Sequence, residues 1–180
     1  MDWVYDAAEG NRYDITHLRP SAIRFYLKID GREVDVVLHV FYSNHCYTRS
    51  RALADPDEAV LFREGKKNGY VDERVFCPKR YAFSLQLPGI VTSLGQAMCF
   101  RGGSGEVFYR VKSDAGARHR THGWYVCGRL DASTKHRQLR LNIRSVHYRT
   151  NEPNDARGQA RFYQILQPFY VVQKAKYDWL

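Results

Sequence analysis

The sequence predicts an α+β fold in which a mainly antiparallel sheet, built from hairpins, carries a few short helices on one face. Several segments alternate apolar and polar residues with the two-residue period of a strand, whereas residues 78–94 place apolar residues near helical spacing. Short turns containing glycine separate neighbouring strand candidates, which favours hairpins. Many strands against one helical stretch indicate a sheet with helices packed on it.

The chain length and composition predict a single domain over residues 1–180. A chain of 180 residues with 44% apolar residues can bury a sizeable core, and neither a linker nor an internal repeat divides it. Apolar runs stay well short of the ~20 residues that span a bilayer. The N-terminus lacks a basic region followed by an apolar one, so we expect no signal peptide, no membrane partner and a cytoplasmic protein.

The four cysteines are too widely spaced for a disulfide scaffold or a common zinc motif. We expect them to be small buried thiols in a reducing compartment. They are Cys46, Cys77, Cys99 and Cys127.

The first half of the chain begins with a predicted hairpin. Residues 22–29 alternate like a strand, an Asp-Gly pair follows as a tight-turn signal, and residues 33–42 form the return strand. Because apolar residues are nearly continuous over 33–42, we expect that strand to be buried on both faces. Residues 50–73 are polar and contain proline and glycine, which predicts a loop with a short helix or turn near 55–63.

The helical stretch lies in the middle of the chain and is followed by more strands. Pro88 and Gly89 must interrupt any single helix over residues 78–94, so we expect a short helix, a break and a second helical turn. Residues 150–160 are polar, and a last strand over 161–167 ends before Pro168. The strands expected between these regions cover residues 96–101, 106–112, 123–130 and 139–149.

The strand over residues 139–149 has the most informative pattern. Strand side chains alternate between faces, so aliphatic groups fall on one side and guanidinium and aromatic groups on the other. Such a strand suits a sheet that presents its outer face to a polyanion, although an ordinary solvated face has the same pattern. The predicted faces are Leu139, Leu141, Ile143, Ser145 and His147 on one side, and Arg140, Asn142, Arg144, Val146 and Tyr148 on the other.

The charge of the whole chain favours an acidic partner. Lys and Arg number 28 against 19 Asp and Glu, which gives a net charge of +9, and arginines often stand beside the 13 tyrosines. This combination is typical of nucleic-acid binding, and we expect RNA rather than DNA, or a nucleoprotein complex. The predicted binding residues are Arg140, Asn142, Arg144, Tyr148 and Arg149, with Lys135 and Arg137 from the basic turn before them.

Several motifs stand out along the chain, at residues 13–20, 43–49, 74–81, 87–91 and 139–148. Together they resemble a group of small proteobacterial and prophage proteins. This resemblance implies a place in a bacterial mobile element and no particular activity. The chain also resembles ribonucleases of the RelE-like and the barnase, EndoU and colicin types in the order of its elements, because a helical segment precedes an antiparallel sheet in them. The long first hairpin of this chain departs from that pattern.

A ribonuclease of this kind needs no metal, because the 2′-hydroxyl attacks its own phosphate with help from a base, an acid and cations. His45 and Arg49 follow a strongly apolar strand and form a candidate base and cation. Arg80 can add charge, and Ser145 and His147 near a strand end can supply the acid and position the phosphate. A purely structural histidine is the competing interpretation of both histidines.

Two functional classes stay open. The first is a metal-independent ribonuclease of toxin type, and the second is a non-catalytic binding or inhibitory protein, for example an anti-defence protein that engages a nucleoprotein complex. A catalyst needs its histidine, arginine and hydroxyl groups to converge on one cleft, whereas a binder needs only a broad basic face. We expect no cofactor and no metal site, because the spacing of histidine and cysteine forms no preformed chelate.

Overall fold

A curled seven-stranded sheet is the framework of the computed structural model, beside a three-stranded sheet and a two-stranded ribbon. The structure describes residues 4–6, 12–52, 57–111, 122–133, 138–154 and 156–177. The strands are β1 (Val4–Asp6), β2 (Arg12–Asp14), β3 (Ser21–Ile29), β4 (Arg32–Tyr42), β5 (Thr48–Ser50), β6 (Val60–Gly65), β7 (Val71–Phe76), β8 (Met98–Arg101), β9 (Glu106–Val111), β10 (Gly123–Ser133), β11 (Gln138–Arg149) and β12 (Gln159–Arg161). The α-helices are α1 (Pro78–Ser84), α2 (Leu87–Ser93) and α3 (Phe162–Tyr177), and 3₁₀ turns cover Thr16–Leu18, Asn44–Cys46, Leu94–Gln96 and Gly103–Gly105.

The large sheet has the strand order β12-β8-β9-β10-β11-β4-β3. Neighbouring strands in this sheet are antiparallel, except that β4 and β11 are parallel. In this parallel pair, Leu38 lies opposite Leu139 and Tyr42 lies opposite Ile143. The predicted α+β class with a mainly antiparallel sheet is confirmed. The parallel pair brings the C-terminal end of β4, where His45 follows, against the middle of β11.

The first hairpin forms where the sequence predicts it. Asp30 and Gly31 have φ angles of 49° and 79°, the left-handed pair that a two-residue hairpin turn requires. The prediction that the return strand is buried on both faces is wrong. Val36 and Leu38 are buried while Val37 between them is 39% exposed, because helices cover only one face of β4.

The three-stranded sheet, in the order β5-β7-β6, occupies a region that the sequence analysis predicts to be a loop. That prediction is wrong for β6 and β7, whose polar residues pair with one another across the strands. Arg63 of β6 and Arg51, which follows β5, both contact the carboxylate of Glu73 on β7, and within β7 Arg74 contacts Asp72 at 3.2 Å. Cross-strand pairs of opposite charge support strands that have few apolar residues.

The middle of the chain forms the interrupted helix that the sequence predicts. α1 ends at Ser84 and α2 begins at Leu87, so Pro88 falls in the first turn of α2, where its missing N–H has no helical partner to lose.

The predicted last strand over 161–167 is wrong, because only the short β12 precedes α3. Phe162, Ile165, Leu166 and Tyr170 are buried on one face of that helix, which is the spacing of a helix and not of a strand.

All three helices pack on one face of the large sheet and close the main core, as predicted. Phe162 and Leu166 of α3 and Leu87 of α2 are completely buried against β3, β4, β10 and β11. Phe83 of α1 stacks on Trp124 with ring centroids 4.5 Å apart. Within the described residues, no helix is both long and apolar enough to cross a membrane. The predicted extent of one domain, residues 1–180, stays a prediction.

The opposite face of the large sheet, here called the open face, has no helix against it among the described residues. A small apolar cluster of Phe100, Phe108, Tyr125 and Cys127 covers part of it beside β12. The part of the open face that this cluster leaves uncovered therefore exposes the polar side chains of β9, β10 and β11.

The four cysteines are free thiols. Three of them are buried, and Cys77 is half-buried.

Candidate functional site

A β-bulge in β11 decides which side chains reach the open face. Cys127 of β10 lies opposite Ser145, whereas the next residue, Gly128, lies opposite Ile143. Arg144 is therefore the extra residue of the bulge, with no residue of β10 opposite it. One extra residue reverses the alternation of side chains beyond it.

The predicted assignment of faces is therefore wrong from Ser145 onward. Ser145 and His147 join the open face, and Val146 turns inward and is completely buried. Tyr148 turns to the helix side, where its ring meets Trp124 edge-on at 6.2 Å.

A cleft of about 570 Å³ opens where the 3₁₀ turn after β4 and the hairpin of β6 meet the open face. It contains two histidines, two glutamates and three basic side chains, mixed with hydroxyl groups and a thiol. Its lining residues are Ser43, Asn44, His45, Glu64, Lys66, Glu106, Phe108, Cys127, Gly128, Arg144, Ser145, His147 and Arg149. Three of the five predicted catalytic residues, His45, Ser145 and His147, thus lie in one cleft.

The turn that carries His45 is attached to β11 on one side and to α1 on the other. Ser43 Oγ accepts the backbone N–H of His45 at 3.0 Å and donates to the carbonyl of Arg144 at 3.0 Å. Arg80 reaches the same turn from the helix side and donates to the carbonyls of His45 and Thr48 at 3.2 and 2.7 Å. Arg80 therefore supports the turn from behind and does not line the cleft.

His45 forms a hydrogen-bonded pair with Glu64. Its Nε2 is 2.9 Å from Glu64 Oε2, and Asn44 Nδ2 donates to the other carboxylate oxygen at 2.9 Å. Burial opposes ionisation of Glu64, but the hydrogen bonds from His45 and Asn44 outweigh it and lower its pKa. An ionised carboxylate only accepts, so His45 Nε2 carries the hydrogen and Nδ1 is the nitrogen that can take up a proton.

His147 lies on the opposite wall in a different environment. Burial lowers its pKa from 6.5 to about 4, and the nearby positive charges of Arg149 and Arg80 add to the effect. Its Nε2 is 3.4 Å from the sulfur of Cys127, whose own pKa is raised by burial. At neutral pH the cleft therefore holds a neutral imidazole beside a protonated thiol.

The low pKa of His147 predicts a loss of stability in mild acid. The unfolded chain binds this proton near pH 6.5 and the folded chain only near pH 4, so stability falls as the pH drops between these values. The full shift corresponds to about 3 kcal/mol, and partial solvent access reduces this to about 1–2 kcal/mol. Urea unfolding at a series of pH values measures it.

The matched variant for that measurement is His147→Gln, which keeps a polar side chain but does not titrate. We expect its stability to vary less between pH 6.5 and 4, with a remaining slope from His17, whose pKa burial also lowers. An unchanged slope in the variant would show that His147 is readily protonated in the folded protein.

Other predicted residues lie outside the cleft. Arg49 of β5 pairs with Glu58 and does not line the cleft. Arg140 extends over the ring of Phe41, with 4.1 Å from its guanidinium carbon to the ring centre. Asn142 follows Arg140 by two residues and shares its face.

The predicted nucleic-acid-binding residues divide between the two faces of the sheet. Arg144 and Arg149 line the cleft, and Arg144 Nη1 is 3.2 Å from Glu106 Oε1. Tyr148, which is 56% exposed, lies on the other face. Lys135 and Arg137 lie outside the described residues.

Comparison with known proteins identifies a family. The sequence model of the YjaZ family matches residues 4–170. The chain belongs to the YjaZ family. Comparison with curated proteins and with solved structures gives no match. The family match confirms the predicted resemblance to a group of small proteins only as far as membership of one family. The resemblance to ribonucleases stays a prediction.

One group of side chains in this YjaZ-family chain has the composition of a metal site. The ligand atoms of His45, Glu64 and Asp72 all lie within 4.8 Å of one another. Lys66 Nζ lies 3.4 Å from a carboxylate oxygen of both Glu64 and Asp72, and Arg74 also pairs with Asp72. A metal ion would have to displace the Lys66 ammonium group, which already neutralises these carboxylates.

Three charged residues of the cleft, Glu64, Lys66 and Glu106, are not among the residues predicted from the sequence. Glu64 lies near the end of β6 and Lys66 directly follows that strand, in the region predicted to be a loop. The Asn68-Gly69 pair just beyond them is a strong hairpin signal, and Gly69 has the positive φ of 78° that such turns use. A hairpin turn at this pair predicts a strand through Glu64, with Lys66 directly after it.

Proposed function

We propose that this chain binds single-stranded RNA and cleaves it at the cleft without a metal ion. The observation that supports the proposal is the convergence of His45, Glu64 and His147 on a cleft that also holds cations and hydroxyl groups. A surface that only binds RNA has no need for two histidines in different electrostatic environments facing one space. The basic side chains of the cleft are Lys66, Arg144 and Arg149.

The His45–Glu64 pair supplies the base in the proposed reaction. Nδ1 of His45 takes the proton of the 2′-hydroxyl as the 2′ oxygen attacks the neighbouring phosphorus, and Glu64 stabilises the imidazolium that results. A bond forms between the 2′ oxygen and phosphorus, and the bond from phosphorus to the 5′ oxygen breaks. The products are a 2′,3′-cyclic phosphate and a free 5′-hydroxyl.

His147 supplies the acid once substrate is bound. A phosphodiester beside Arg149 brings a negative charge into the environment that keeps His147 neutral, and this charge raises the pKa of the imidazole. The imidazolium then gives its proton to the departing 5′ oxygen. Arg149 forms no ion pair with a carboxylate among the residues that the structure describes, so its guanidinium can bind the phosphate oxygens.

The proposal is tested by incubating end-labelled single-stranded RNA with the protein in excess EDTA. We expect cleavage, and we expect a matched RNA with a 2′-deoxy sugar at the cleaved position to remain intact because it lacks the nucleophile. Cleavage that requires a divalent ion would point to a metal at His45, Glu64 and Asp72. RNA that is bound but never cleaved would support the non-catalytic binding or inhibitory protein.

The binding alternative is favoured by a separate observation on the open face. Arg140 stacks on Phe41, and the neighbouring strands β4 and β3 expose Val37, Arg24 and Tyr26 on the same face. Stacked guanidinium groups and exposed aromatic rings are the surfaces on which unpaired bases stack. This face extends beyond the cleft and can bind a strand whether or not the cleft cleaves it.

We expect the double variant Arg140→Ala/Arg144→Ala to lose affinity for RNA across all sequences. Removing two cations should lower affinity by about tenfold near 0.15 M salt and reduce the salt slope by about one to two units. Fluorescence anisotropy at several salt concentrations measures both, with circular dichroism as the check on folding. Unchanged affinity and slope would place the nucleic-acid surface elsewhere.

A further inference from the structure

A second cavity adjoins the cleft on the open face. It has a volume of about 370 Å³ and is lined by Gly103, Ser104, Glu106, Arg129 and Arg157. Glu106 lines the cleft as well, so the two cavities share a wall. Its two arginines do not line the cleft.

The register of the sheet places Arg129 in line with the cleft. Arg129 of β10 lies opposite Glu106 of β9 and opposite Asn142 of β11. It follows Cys127, which lines the cleft, by two residues, so the two side chains leave the same face about 7 Å apart along the strand. That distance is comparable to the spacing of successive phosphates in an extended single strand.

Arg157 reaches the same cavity from the other side. A Cβ atom on Gly103 would lie 3.3 Å from Arg157 Nη2, so the glycine lets this guanidinium lie close over the backbone of the 3₁₀ turn. Neither Arg129 nor Arg157 pairs with a carboxylate within the described part of the chain. Glu106, the acid in the cavity wall, is instead paired with Arg144 on the cleft side.

We propose that Arg129 and Arg157 form a phosphate subsite beyond the cleaved step, so that the substrate is a single strand long enough to occupy both cavities. Two guanidinium groups facing one concave space favour an anion there, and their planar forks match the oxygens of a phosphodiester. This inference rests on the proposed function, because it assumes that the neighbouring cleft binds the same strand.

The test compares two substrates of different length. One is a dinucleoside monophosphate, which only the cleft can hold, and the other is a single-stranded RNA of about twelve nucleotides. For the variant Arg129→Gln/Arg157→Gln we expect kcat/KM on the longer RNA to fall by about tenfold through KM, with the value on the short substrate within about twofold. An equal loss on both substrates, or no loss on either, would overturn the subsite.

The control variant is Arg19→Gln/Lys174→Gln, which removes the same formal charge at two exposed positions that line neither cavity. We expect it to change kcat/KM on the longer RNA by less than about twofold near 0.15 M salt, because distant charges are screened. A loss as large as that of the arginine pair would assign the effect to net charge and overturn the subsite.

Failure of cleavage and failure of the subsite are distinguishable. If the wild-type protein cleaves neither substrate, the proposed function fails, and the subsite is tested by the binding of a 2′-deoxy strand of the longer length. A reduced salt slope in the Arg129→Gln/Arg157→Gln variant would support the subsite in a binding protein. An unchanged affinity and slope would overturn it.

Discussion

Replacing His45 with alanine is expected to lower the rate of RNA cleavage by about 10²–10⁴-fold, the usual contribution of a general base. The imidazole faces the cleft from a turn that Ser43 and Arg80 fasten, so the loss should appear without unfolding. The measurement is single-turnover cleavage of labelled RNA in EDTA, which isolates the chemical step from product release.

Two variants are controls for the His45 prediction. His39→Ala removes a histidine from β4 that does not line the cleft, and Arg49→Ala removes a guanidinium that pairs with Glu58 outside it. We expect both to cleave within a few-fold of the wild-type rate. A His45→Ala protein that is folded and cleaves normally would remove this residue from the reaction. If Arg49→Ala alone abolished cleavage, the cation that matters would lie outside the cleft.

Replacing Arg74 with alanine is expected to destabilise the protein by about 3–5 kcal/mol. The Arg74 side chain is 5% exposed, and its guanidinium donates to Asp72, Ser50 and Thr48. Among the described residues, its removal leaves the buried carboxylate of Asp72 with the partly exposed Lys66 as its one charged partner. Because β6 pairs with β7, the variant should also loosen Glu64 and Lys66 at the cleft.

The matched surface variant is Arg63→Ala on the same small sheet. Arg63 is 70% exposed and pairs with Glu73, so we expect a cost of less than about 1 kcal/mol. Urea denaturation of both variants gives the comparison. Similar small costs for Arg74→Ala and Arg63→Ala would show that the Arg74–Asp72 pair does not hold the sheet together.

The sequence predicts the parts of the fold that local chemistry determines. The turn at Asp30 and Gly31 needs two left-handed residues, and that pair accepts this conformation readily. The break before Pro88 follows from the missing N–H of proline. The apolar spacing from Phe162 to Tyr170 is that of a helix, so the strand predicted over 161–167 is wrong.

The cleft itself depends on features that simple alternation cannot predict. The bulge at Arg144 moves Ser145 and His147 to the open face, and a strict two-residue period places them with the core. The contact between His45 and Glu64 joins the 3₁₀ turn after β4 to a strand of the three-stranded sheet. The position of His45 after an apolar strand makes it a candidate from the sequence alone. Its partner, Glu64, could not be predicted in the same way, because their contact depends on long-range packing.

The mass of the RNA products tests whether the cleft cleaves RNA through attack of the 2′-hydroxyl, with His45 as the base. Wild-type protein and His45→Ala are incubated with one defined single-stranded RNA in EDTA, and the ends of the fragments are identified by mass spectrometry. The proposed chemistry predicts a 2′,3′-cyclic phosphate on one fragment and a 5′-hydroxyl on the other with the wild-type protein, and intact RNA with His45→Ala. The proposed reaction would be contradicted by fragments with a 5′-phosphate or by cleavage that survives in His45→Ala. Intact RNA with both proteins would contradict it as well.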